Sequence, residues 1–539
     1  EHGDGQQRAE LLVKQYGPEL MQAMREFKAI WDPDNRMNPG KVVDAYRMDE
    51  NLRLGTDYNP WRPEVTFAYP EDGGDFAHAM LRCVGVGACR VPDAQTVMCP
   101  SYQVTREEAN STRGRARLLH EMLVGEVITD GWDSQEVFDA LDLCLACKGC
   151  TSDCPVQVDM PTYKAEFLHH HYAGPARRRP RYAFAFGFID QAARLGSRIP
   201  GVVNLLARTP PFSRLAKRAA GIDHKRRIPS FAPVTLQRWF SDRGAGANPG
   251  GRRVVLWPDT FNNYFHTDVG VACVEALEAA GWHVVVPEGH VCCGRPLYDY
   301  GFLDQARAYL DRTLDVLREE IRAGTPVVGM EPSCLAVFKD ELKRMLPHDD
   351  DAQRLAANAF HFDEFLERFE VAMPRLERRA LVWGHCHHKA TGGISGEEQT
   401  LGRMGLEVQS VAGGCCGLAG SWGFEEGKYD ISMACGEHAL LPAVRDADEA
   451  SVIVADGFSC KTQIEQAGSG RRALHVAQVM KMAREEGGAG VGRSRPEDGP
   501  WTARPKPPLA RRAARAGAVA LAMTLVGAGA AAAARAGVR

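Results

Sequence analysis

The sequence lacks a dominant charge, a recognisable signal peptide and the evenly spread cysteines of a disulfide-stapled protein. Its 65 Lys and Arg face 69 Asp and Glu, and the formal net charge of −4 gives no bulk attraction to nucleic acid. Its 16 cysteines cluster at metal-ligand spacings instead, which indicates a reducing compartment. We therefore expect a cytoplasmic protein that holds metal centres through thiolates and has no nucleic-acid partner.

A complete cysteine motif occupies residues 143–155. Its spacing, C-x2-C-x2-C-x3-C-P, is that of two-cluster bacterial ferredoxins, in which the fourth cysteine binds the neighbouring cluster. Zinc sites usually show two C-x2-C pairs separated by a longer gap, so the spacing favours iron–sulfur. The four candidate ligands are Cys144, Cys147, Cys150 and Cys154.

An upstream partner motif ends in Cys99-Pro100 but has Val86 where its middle cysteine is expected. Cross-ligation then predicts one complete [4Fe–4S] site and one site with three thiolates. The complete site takes Cys99, Cys144, Cys147 and Cys150, and the incomplete site takes Cys83, Cys89 and Cys154. The incomplete site suits a [3Fe–4S] cluster, a [4Fe–4S] cluster with a non-cysteine ligand, or no cluster, and we favour an occupied site.

Residues 251–482 contain an internal repeat. Each copy has an opening strand, a helix, a second strand, Cys-Cys-Gly, a third strand and Ser-Cys, which predicts an α/β layered unit. In the first copy, Thr260 stands where the leading cysteine is expected. The candidate ligands are Cys292, Cys293 and Cys334 in the first copy and Cys386, Cys415, Cys416 and Cys460 in the second. The second copy is the better cluster site, with a zinc site or a redox thiol pair as the competing interpretation. The first copy binds a cluster weakly, shares ligands or is structural.

The N terminus reads E-H-G-D-G, followed by a predicted helix over 6–31 and by F-K-A-I-W-D-P-D-N-R-M-N-P-G-K-V over 27–42. These motifs resemble the C-terminal end of FAD-linked oxidases, the D-lactate, glycolate and D-2-hydroxyglutarate dehydrogenases. The resemblance implies that Glu1 binds a divalent metal at the substrate site and that Asn38 lies near the flavin. It also implies that His2 takes the substrate hydroxyl proton as general base. The FAD would be bound mainly by an N-terminal half, so we expect the chain to be a C-terminal fragment or one half of a split enzyme.

The Cys-Cys-Gly repeat resembles the cysteine-rich domain of heterodisulfide reductases and of the iron–sulfur subunits of glycolate oxidase and anaerobic glycerol-3-phosphate dehydrogenase. Together the motifs imply the electron-transfer portion of a FAD-dependent D-2-hydroxyacid dehydrogenase that acts on D-lactate or D-2-hydroxyglutarate. The implied partners are the hydroxyacid, the FAD-binding half and an acceptor, either a quinone or an electron-carrier protein. Two alternatives belong to other classes: a heterodisulfide-reductase-like thiol–disulfide oxidoreductase, and a zinc-stabilised non-catalytic scaffold.

A basic connector precedes the repeat. Residues 175–230 carry thirteen Arg or Lys and two Asp, a local net charge of +11, interleaved with aromatic residues. Three interpretations are open: peripheral contact with anionic lipid at the cytoplasmic face of a membrane, binding to an acidic region of the FAD-binding half, and packed helices with solvated basic faces. Residues 516–534 carry no charge, but their Ala and Gly content disfavours a membrane span.

We therefore predict an α+β multidomain chain. The predicted order is the end of an FAD-linked oxidase domain (1–50), a linker (51–75), a helical two-cluster ferredoxin-like domain (76–172), the basic helical connector (173–250), the first Cys-Cys-Gly repeat (251–350), a short connector (351–378), the second Cys-Cys-Gly repeat (379–482) and a low-complexity tail (483–539).

Overall fold

The computed structural model describes residues 4–507 except positions 53, 56–57, 93–95, 175–176, 245 and 488–493. Glu1, His2 and the apolar stretch 516–534 lie outside the described residues. Within the described part of the chain, no helix is both long enough and apolar enough to cross a bilayer.

Two helices form the N-terminal segment, α1 (Gly5–Ala9) and α2 (Leu12–Trp31). The single predicted helix is divided between Ala9 and Leu12, and α2 is kinked at Gly17, whose φ of +78° breaks the helical path just before Pro18. The apolar face of α2 is only partly covered, because Phe27 is 65% exposed and Ile30 is 73% exposed. This segment therefore presents an apolar surface that the described chain does not bury.

The cysteine module that follows is helical, as predicted. Its core includes Phe76 and Tyr163, and residues of the predicted linker join it, because Phe67 and Tyr69 are both 1% exposed. Glu166 holds this linker segment in place by accepting hydrogen bonds from the backbone N–H groups of Thr66 and Phe67 at 2.8 and 3.0 Å. The helices are α3 (Phe76–Leu81), α4 (Pro100–Thr105), α5 (Thr112–Val124), α6 (Gln135–Asp142), α7 (Gly149–Asp153) and α8 (Met160–His171).

The basic connector forms five short helices: α9 (Arg181–Gly187), α10 (Ile189–Gly196), α11 (Pro200–Arg208), α12 (Pro210–Ala220) and α13 (Leu236–Asp242). Proline occupies the first position of α11 and α12, where its missing N–H has no cost. Arg226 departs from the expectation of a solvated charge, since it is 0% exposed. Its guanidinium donates to the Gly423 carbonyl at 2.7 Å and to Ser432 Oγ at 2.6 Å, so the connector is tied to the second repeat.

The first repeat is a parallel sheet in the order β2-β1-β3-β4. The first three strands lie where the sequence predicts them. The fourth falls in the predicted connector 351–378, which therefore extends the first unit. The strands are β1 (Arg253–Trp257), β2 (His283–Val285), β3 (Val327–Gly329) and β4 (Ala359–His361). The helices are α14 (Thr260–Tyr264), α15 (Thr267–Ala279), α16 (Arg295–Asp299), α17 (Leu303–Ala323), α18 (Pro332–Ala336), α19 (Leu342–Met345), α20 (Asp350–Asn358) and α21 (Phe362–Arg368).

The second repeat is a parallel sheet in the order β6-β5-β7, which matches the β2-β1-β3 core of the first. In both units the cysteines follow the carboxyl ends of parallel strands, the edge at which open α/β sheets hold their ligands. The strands are β5 (Arg379–Val382), β6 (Glu407–Ser410) and β7 (Val452–Val454). The helices are α22 (Cys386–Thr391), α23 (Ser395–Met404), α24 (Tyr429–Glu437), α25 (Leu440–Asp446), α26 (Phe458–Gln466) and α27 (Val476–Glu486).

Candidate metal centres

The second repeat brings its four candidate ligands into one buried group. Cys386 begins α22, the Cys-Cys-Gly pair follows β6, and Cys460 lies in α26. The thiol of Cys415 interacts with those of Cys386 and Cys416, and Cys416 also interacts with Cys460. The hydrogen bond from Cys415 lowers the pKa of Cys416 well below its ordinary value, with further help from the thiol of Cys460 and backbone N–H groups of the following turn. Four buried thiols surrounded by amide donors fit an iron–sulfur cluster.

Gly417 follows this cysteine pair in a turn that strongly favours glycine. Its φ is +84°, in the region that L side chains rarely adopt. A Cβ at this position would lie 1.9 Å from the Ser432 carbonyl oxygen. The glycine therefore permits close contact between the cysteine turn and α24, the helix that Arg226 also holds.

The first repeat assembles three thiols and one hydroxyl. Cys293 Sγ lies 3.0 Å from Cys334 Sγ, and Cys293 also hydrogen-bonds with Cys292. Thr260 Oγ1 donates to Cys292 Sγ at 3.7 Å. Thr260 therefore occupies in space, as in the sequence, the place that Cys386 holds in the second repeat. This site has the poorer donor set of the two.

The complete ferredoxin motif lies directly against the second repeat. Cys144 and Cys150 are near neighbours of Cys147. Burial raises the pKa of Cys147 well above its ordinary value, and the nearby thiol of Cys386 raises it further. Cys147, Cys386 and Cys415 belong to one buried apolar cluster, and α7 packs on α22. The second Cys-Cys-Gly site thus has the ferredoxin motif as an immediate neighbour.

The upstream motif surrounds the start of α5. The Thr112 N–H donates to Cys99 Sγ at 2.9 Å, and the Arg113 N–H donates to Cys89 Sγ at 3.3 Å. The hydrogen bond from Cys99 lowers the pKa of Cys89 to about 6. Cys99 therefore contacts Cys89, a residue that cross-ligation assigns to the other cluster. Cys83 lies beside Arg113, close to the same group.

Cys154 is buried in the apolar core of the module, together with Cys89, Cys99, Cys144 and Cys150. The thiol contact between Cys89 and Cys99 departs from the expected division of ligands. The cross-ligation pattern and the cluster type at Cys83, Cys89 and Cys154 stay predictions.

A buried charged clamp, which the sequence did not reveal, joins the ferredoxin motif to both repeats. Lys148, between two motif cysteines and 1% exposed, pairs with Asp340 and with Glu341 of the first repeat. Arg295 of the first repeat donates to the Ala146 carbonyl at 3.1 Å and lies 2.9 Å from His387 Nε2 of the second repeat. A lysine inside a cysteine run and a histidine after Cys386 were the only sequence signals of this clamp.

The second repeat also offers histidine donors. Ligand atoms of His385, Cys386 and His387 all lie within 4.8 Å of one another, and all three residues are buried. The sequence analysis identified only Cys386 as a candidate ligand in this segment. These imidazoles lie where they can hydrogen-bond around a metal centre or supply a nitrogen ligand.

The flavin-linked residues are placed only in part. Glu1 and His2 lie outside the described residues, so their roles stay predictions. Asn38 lies in an exposed turn with φ of +50°. The Asp32 carboxylate stabilises this turn by accepting hydrogen bonds from the backbone N–H groups of Arg36 and Met37 at 2.7 and 2.9 Å. The D-P-D-x-x-M-N segment is thus a preformed loop, and its contact with flavin stays a prediction.

Three family descriptions match the chain in the order that the motifs predict. FAD linked oxidases, C-terminal domain, matches residues 1–42; 4Fe-4S dicluster domain matches 79–158; and Cysteine-rich domain matches 260–339. These matches confirm the predicted fold class and the expected association with FAD and iron–sulfur cofactors.

Curated relatives match between 42% and 89% of the chain. D-2-hydroxyglutarate dehydrogenase from Pseudomonas putida is 27% identical over 89% of this chain and 50% of its own length. A subunit of anaerobic glycerol-3-phosphate dehydrogenase from Escherichia coli is 27% identical over 56% of this chain and 76% of its own length. Lactate utilization protein A from Bacillus velezensis is 29% identical over 42% of this chain and 98% of its own length. The chain spans about half the length of the D-2-hydroxyglutarate dehydrogenases that it matches, and it combines an FAD-linked oxidase segment with iron–sulfur and cysteine-rich domains.

Proposed function

We propose that this chain is the iron–sulfur electron-transfer portion of a FAD-dependent D-2-hydroxyacid dehydrogenase. The proximity of Cys147 of the ferredoxin motif to Cys386 of the second repeat, within one buried cluster, carries the proposal. Two cysteine sites built by different domains share one buried apolar cluster, which is the arrangement that stepwise electron transfer needs. Lys148 ties the ferredoxin motif to the first repeat, and Arg295 of the first repeat reaches His387 of the second, so the three units are held together.

The donor sets fit iron–sulfur clusters, because their thiols are buried, except the partly exposed Cys83, and backbone N–H groups donate to several of them. Bound clusters would supply one-electron transfer, and FAD would supply the hydride acceptor for the hydroxyacid. The residues that would hold clusters are Cys99, Cys144, Cys147 and Cys150; Cys83, Cys89 and Cys154; Cys386, Cys415, Cys416 and Cys460; and, with a weaker set, Cys292, Cys293 and Cys334.

The exposed apolar face of α2 supports an FAD-binding half as partner. Phe27, Ile30 and Trp31 are all more than 60% exposed within a segment that matches the FAD linked oxidase C-terminal domain. Burying them would stabilise an assembly by about 1.5–3 kcal/mol for each fully covered side chain. In that assembly His2 would serve as general base and Glu1 as metal ligand, beside Asn38.

D-2-hydroxyglutarate is the substrate we favour over D-lactate, because relatives of that name match 89% of the chain. The thiol–disulfide alternative is less suited, because Cys415 and Cys416 are each only 2% exposed and exchange needs an accessible thiolate. The zinc-scaffold alternative does not account for the ferredoxin spacing or for the match to the dicluster domain.

The cluster proposal is tested on chain purified without oxygen, by iron, sulfide and zinc analysis and by EPR before and after dithionite. We expect about seven or more irons with matching sulfide, from at least two clusters. Cys386→Ser should lose about four irons, whereas Cys435→Ser, which removes another buried cysteine of the same apolar cluster, should keep them. Colourless protein with zinc and no iron would overturn the proposal.

The substrate proposal is tested by adding a FAD-binding half from a relative. D-2-hydroxyglutarate should bleach the visible absorbance of the clusters, and D-lactate should do so more slowly. Equal bleaching by L-hydroxyacids, or none with either D-acid in a flavin-loaded assembly, would refute the assignment.

A further inference from the structure

A second group of possible metal donors, separate from the cysteines, lies where the first repeat unit meets the second. His361 ends β4, Glu364 lies in the first turn of α21, and His388 lies in α22. Ligand atoms of these three residues all lie within 4.8 Å of one another, and the two imidazole rings are stacked with centroids 4.0 Å apart. Two atoms bound to one tetrahedral zinc ion lie about 3.4 Å apart, so small side-chain movements would complete the set.

Buried polar atoms without partners point to a ligand at this place. His388 Nε2 and both carboxylate oxygens of Asp363 have no hydrogen-bond partner among the described residues. Both residues are only 1% exposed. His388 Nε2 lies 3.4 Å from Asp363 Oδ2, which is longer than a good hydrogen bond and close to the spacing of two atoms on one zinc ion. Asp363 is therefore the fourth candidate ligand.

The carboxylates of this region carry buried negative charge that a cation would offset. Burial raises the pKa of Glu397 well above its ordinary value, and the carboxylates of Asp456 and Asp363 raise it further. Lys339 pairs with Glu364 at 2.5 Å, but no lysine or arginine pairs with Asp363 within the described part of the chain. Buried charges in proteins are paired with opposite charges or bind metals, so Asp363 lies where a metal ion would be stabilised.

Neighbouring groups hold the candidate donors in position. Thr391 Oγ1 lies 3.2 Å from His361 Nε2 and donates to the His387 carbonyl at 2.8 Å, so this hydroxyl orients the imidazole. Glu364 Oε2 accepts hydrogen bonds from the His361 N–H at 3.0 Å and from Lys339, which fixes the carboxylate beside the imidazoles. Metal ligands in proteins are typically oriented by partners of this kind.

The types of donor select the metal. Imidazole nitrogens combined with carboxylate oxygens suit zinc, whereas magnesium and calcium prefer sites made of oxygen alone. The group contains no cysteine, so it differs in chemistry from the thiolate sites. The Glu364 side chain is 23% exposed, which gives an ion access from solvent.

We propose that His361, Asp363, Glu364 and His388 bind a zinc ion that links α21 of the first unit to α22 of the second. His388 is two residues from Cys386, so the ion would also hold the helix that begins with a candidate cluster ligand. The site uses no cysteine. It therefore goes beyond the proposed electron-transfer function and does not depend on it.

The test measures zinc binding by the full chain, purified without oxygen, in competition with a fluorescent zinc chelator. His361→Gln should weaken binding at least about 100-fold, because losing a ligand costs more than losing a group that supports one. His475→Gln is the matched control. It removes a buried imidazole that lies 3.5 Å from the Asp456 carboxylate but belongs to no such donor group among the described residues. It should leave zinc binding unchanged.

X-ray absorption at the zinc edge needs no variant, so it decides the question even if a variant does not fold. We expect nitrogen and oxygen atoms at about 2.0–2.1 Å from the zinc, whereas zinc held by cysteines would show sulfur at about 2.3 Å. A sulfur shell, or no zinc binding by the unmodified chain, would overturn the site. Equal zinc affinities of the two variants, with folding confirmed by circular dichroism, would overturn it as well.

Failure of this proposal is separable from failure of the proposed function, because zinc binding needs no electron transfer. Iron content and the dithionite-dependent EPR signal, measured on the same samples, report the clusters independently. Intact clusters without zinc binding would refute this inference and leave the electron-transfer role standing. Zinc bound by nitrogen and oxygen in a chain without iron would support the zinc site and overturn the electron-transfer role.

Discussion

Replacing Gly417 by alanine tests whether the Cys-Cys-Gly turn must lie against α24. The left-handed φ of +84° costs an alanine about 1–2 kcal/mol. The added Cβ would also lie 1.9 Å from the Ser432 carbonyl oxygen, so the turn or the helix must move. Overpacking of this kind typically costs roughly 1–3 kcal/mol, which brings the total to about 2–5 kcal/mol.

The first repeat supplies a matched control. Gly294 has nearly the same φ, +80°, but its Cβ would meet nothing closer than 3.5 Å. Gly294→Ala should therefore cost only the conformational part, about 1–2 kcal/mol. The difference between the two variants isolates the contact with Ser432.

Hydrogen–deuterium exchange with mass spectrometry measures the loss of stability near each glycine. A local measurement is needed because a multidomain chain does not unfold in one step. The additional 1–3 kcal/mol corresponds to exchange roughly 5- to 150-fold faster in α24 for Gly417→Ala than in the matching region of Gly294→Ala. Iron content should fall only in Gly417→Ala. Similar protection and iron content in both variants would refute the reasoning.

Three further outcomes follow from the structure. Lys148→Met should weaken the clamp by roughly 1.5–3 kcal/mol, because it removes a buried charged donor while Asp340 keeps Arg344 and Glu341 keeps Arg295. Lys225→Met at an exposed pair should leave stability nearly unchanged. Hydrogen exchange in α7 and α19 would separate the two variants, and equal changes there would contradict the clamp. Burial raises the pKa of Glu425 to about 7 from 4.5, so the stability contributed by its protonated form is present below pH 4.5 and is lost as the pH rises through 7. Glu425→Gln should therefore gain stability relative to the unmodified chain between pH 4.5 and 7, and a stability difference that does not change with pH would contradict the raised pKa. Thr260→Cys places a thiol near Cys292 and should raise the iron content of the chain. Unchanged iron content in a normally folded variant would contradict a cluster site in the first repeat.

The sequence predicted the two sheets well because strand order and ligand position recur in both copies. Each opening strand is a run of buried residues, and each cysteine follows the end of a strand, so the repeat predicted which cysteines converge. Thr260 illustrates this, since its equivalence to Cys386 was read from alignment of the copies and agrees with its contact with Cys292. β4 was missed, because Ala359–His361 has no counterpart in the β6-β5-β7 sheet and comparison of the two copies therefore did not indicate it.

The contacts between domains could not be predicted, because they depend on distant residues meeting in space. Nothing near Arg226 in the sequence indicates that it is buried against Gly423 and Ser432, about two hundred positions away. The surrounding excess of Arg and Lys predicted instead that the Arg226 side chain is exposed to solvent. The contact of Cys99 with Cys89 could not be predicted either. Cysteine spacing indicates which residues belong to one motif, but it does not indicate how α5 arranges their thiols.

The unequal donor sets of the two repeats bear on the direction of electron flow. The second repeat has four thiols and touches the ferredoxin motif, whereas the first has three thiols and a threonine. Under the proposed function, the second repeat is therefore the site that exchanges electrons with the ferredoxin motif, and Thr260 leaves the first repeat with the weaker donor set. Thr260→Cys is the direct test of this division, because it would give the two repeats equal donor sets.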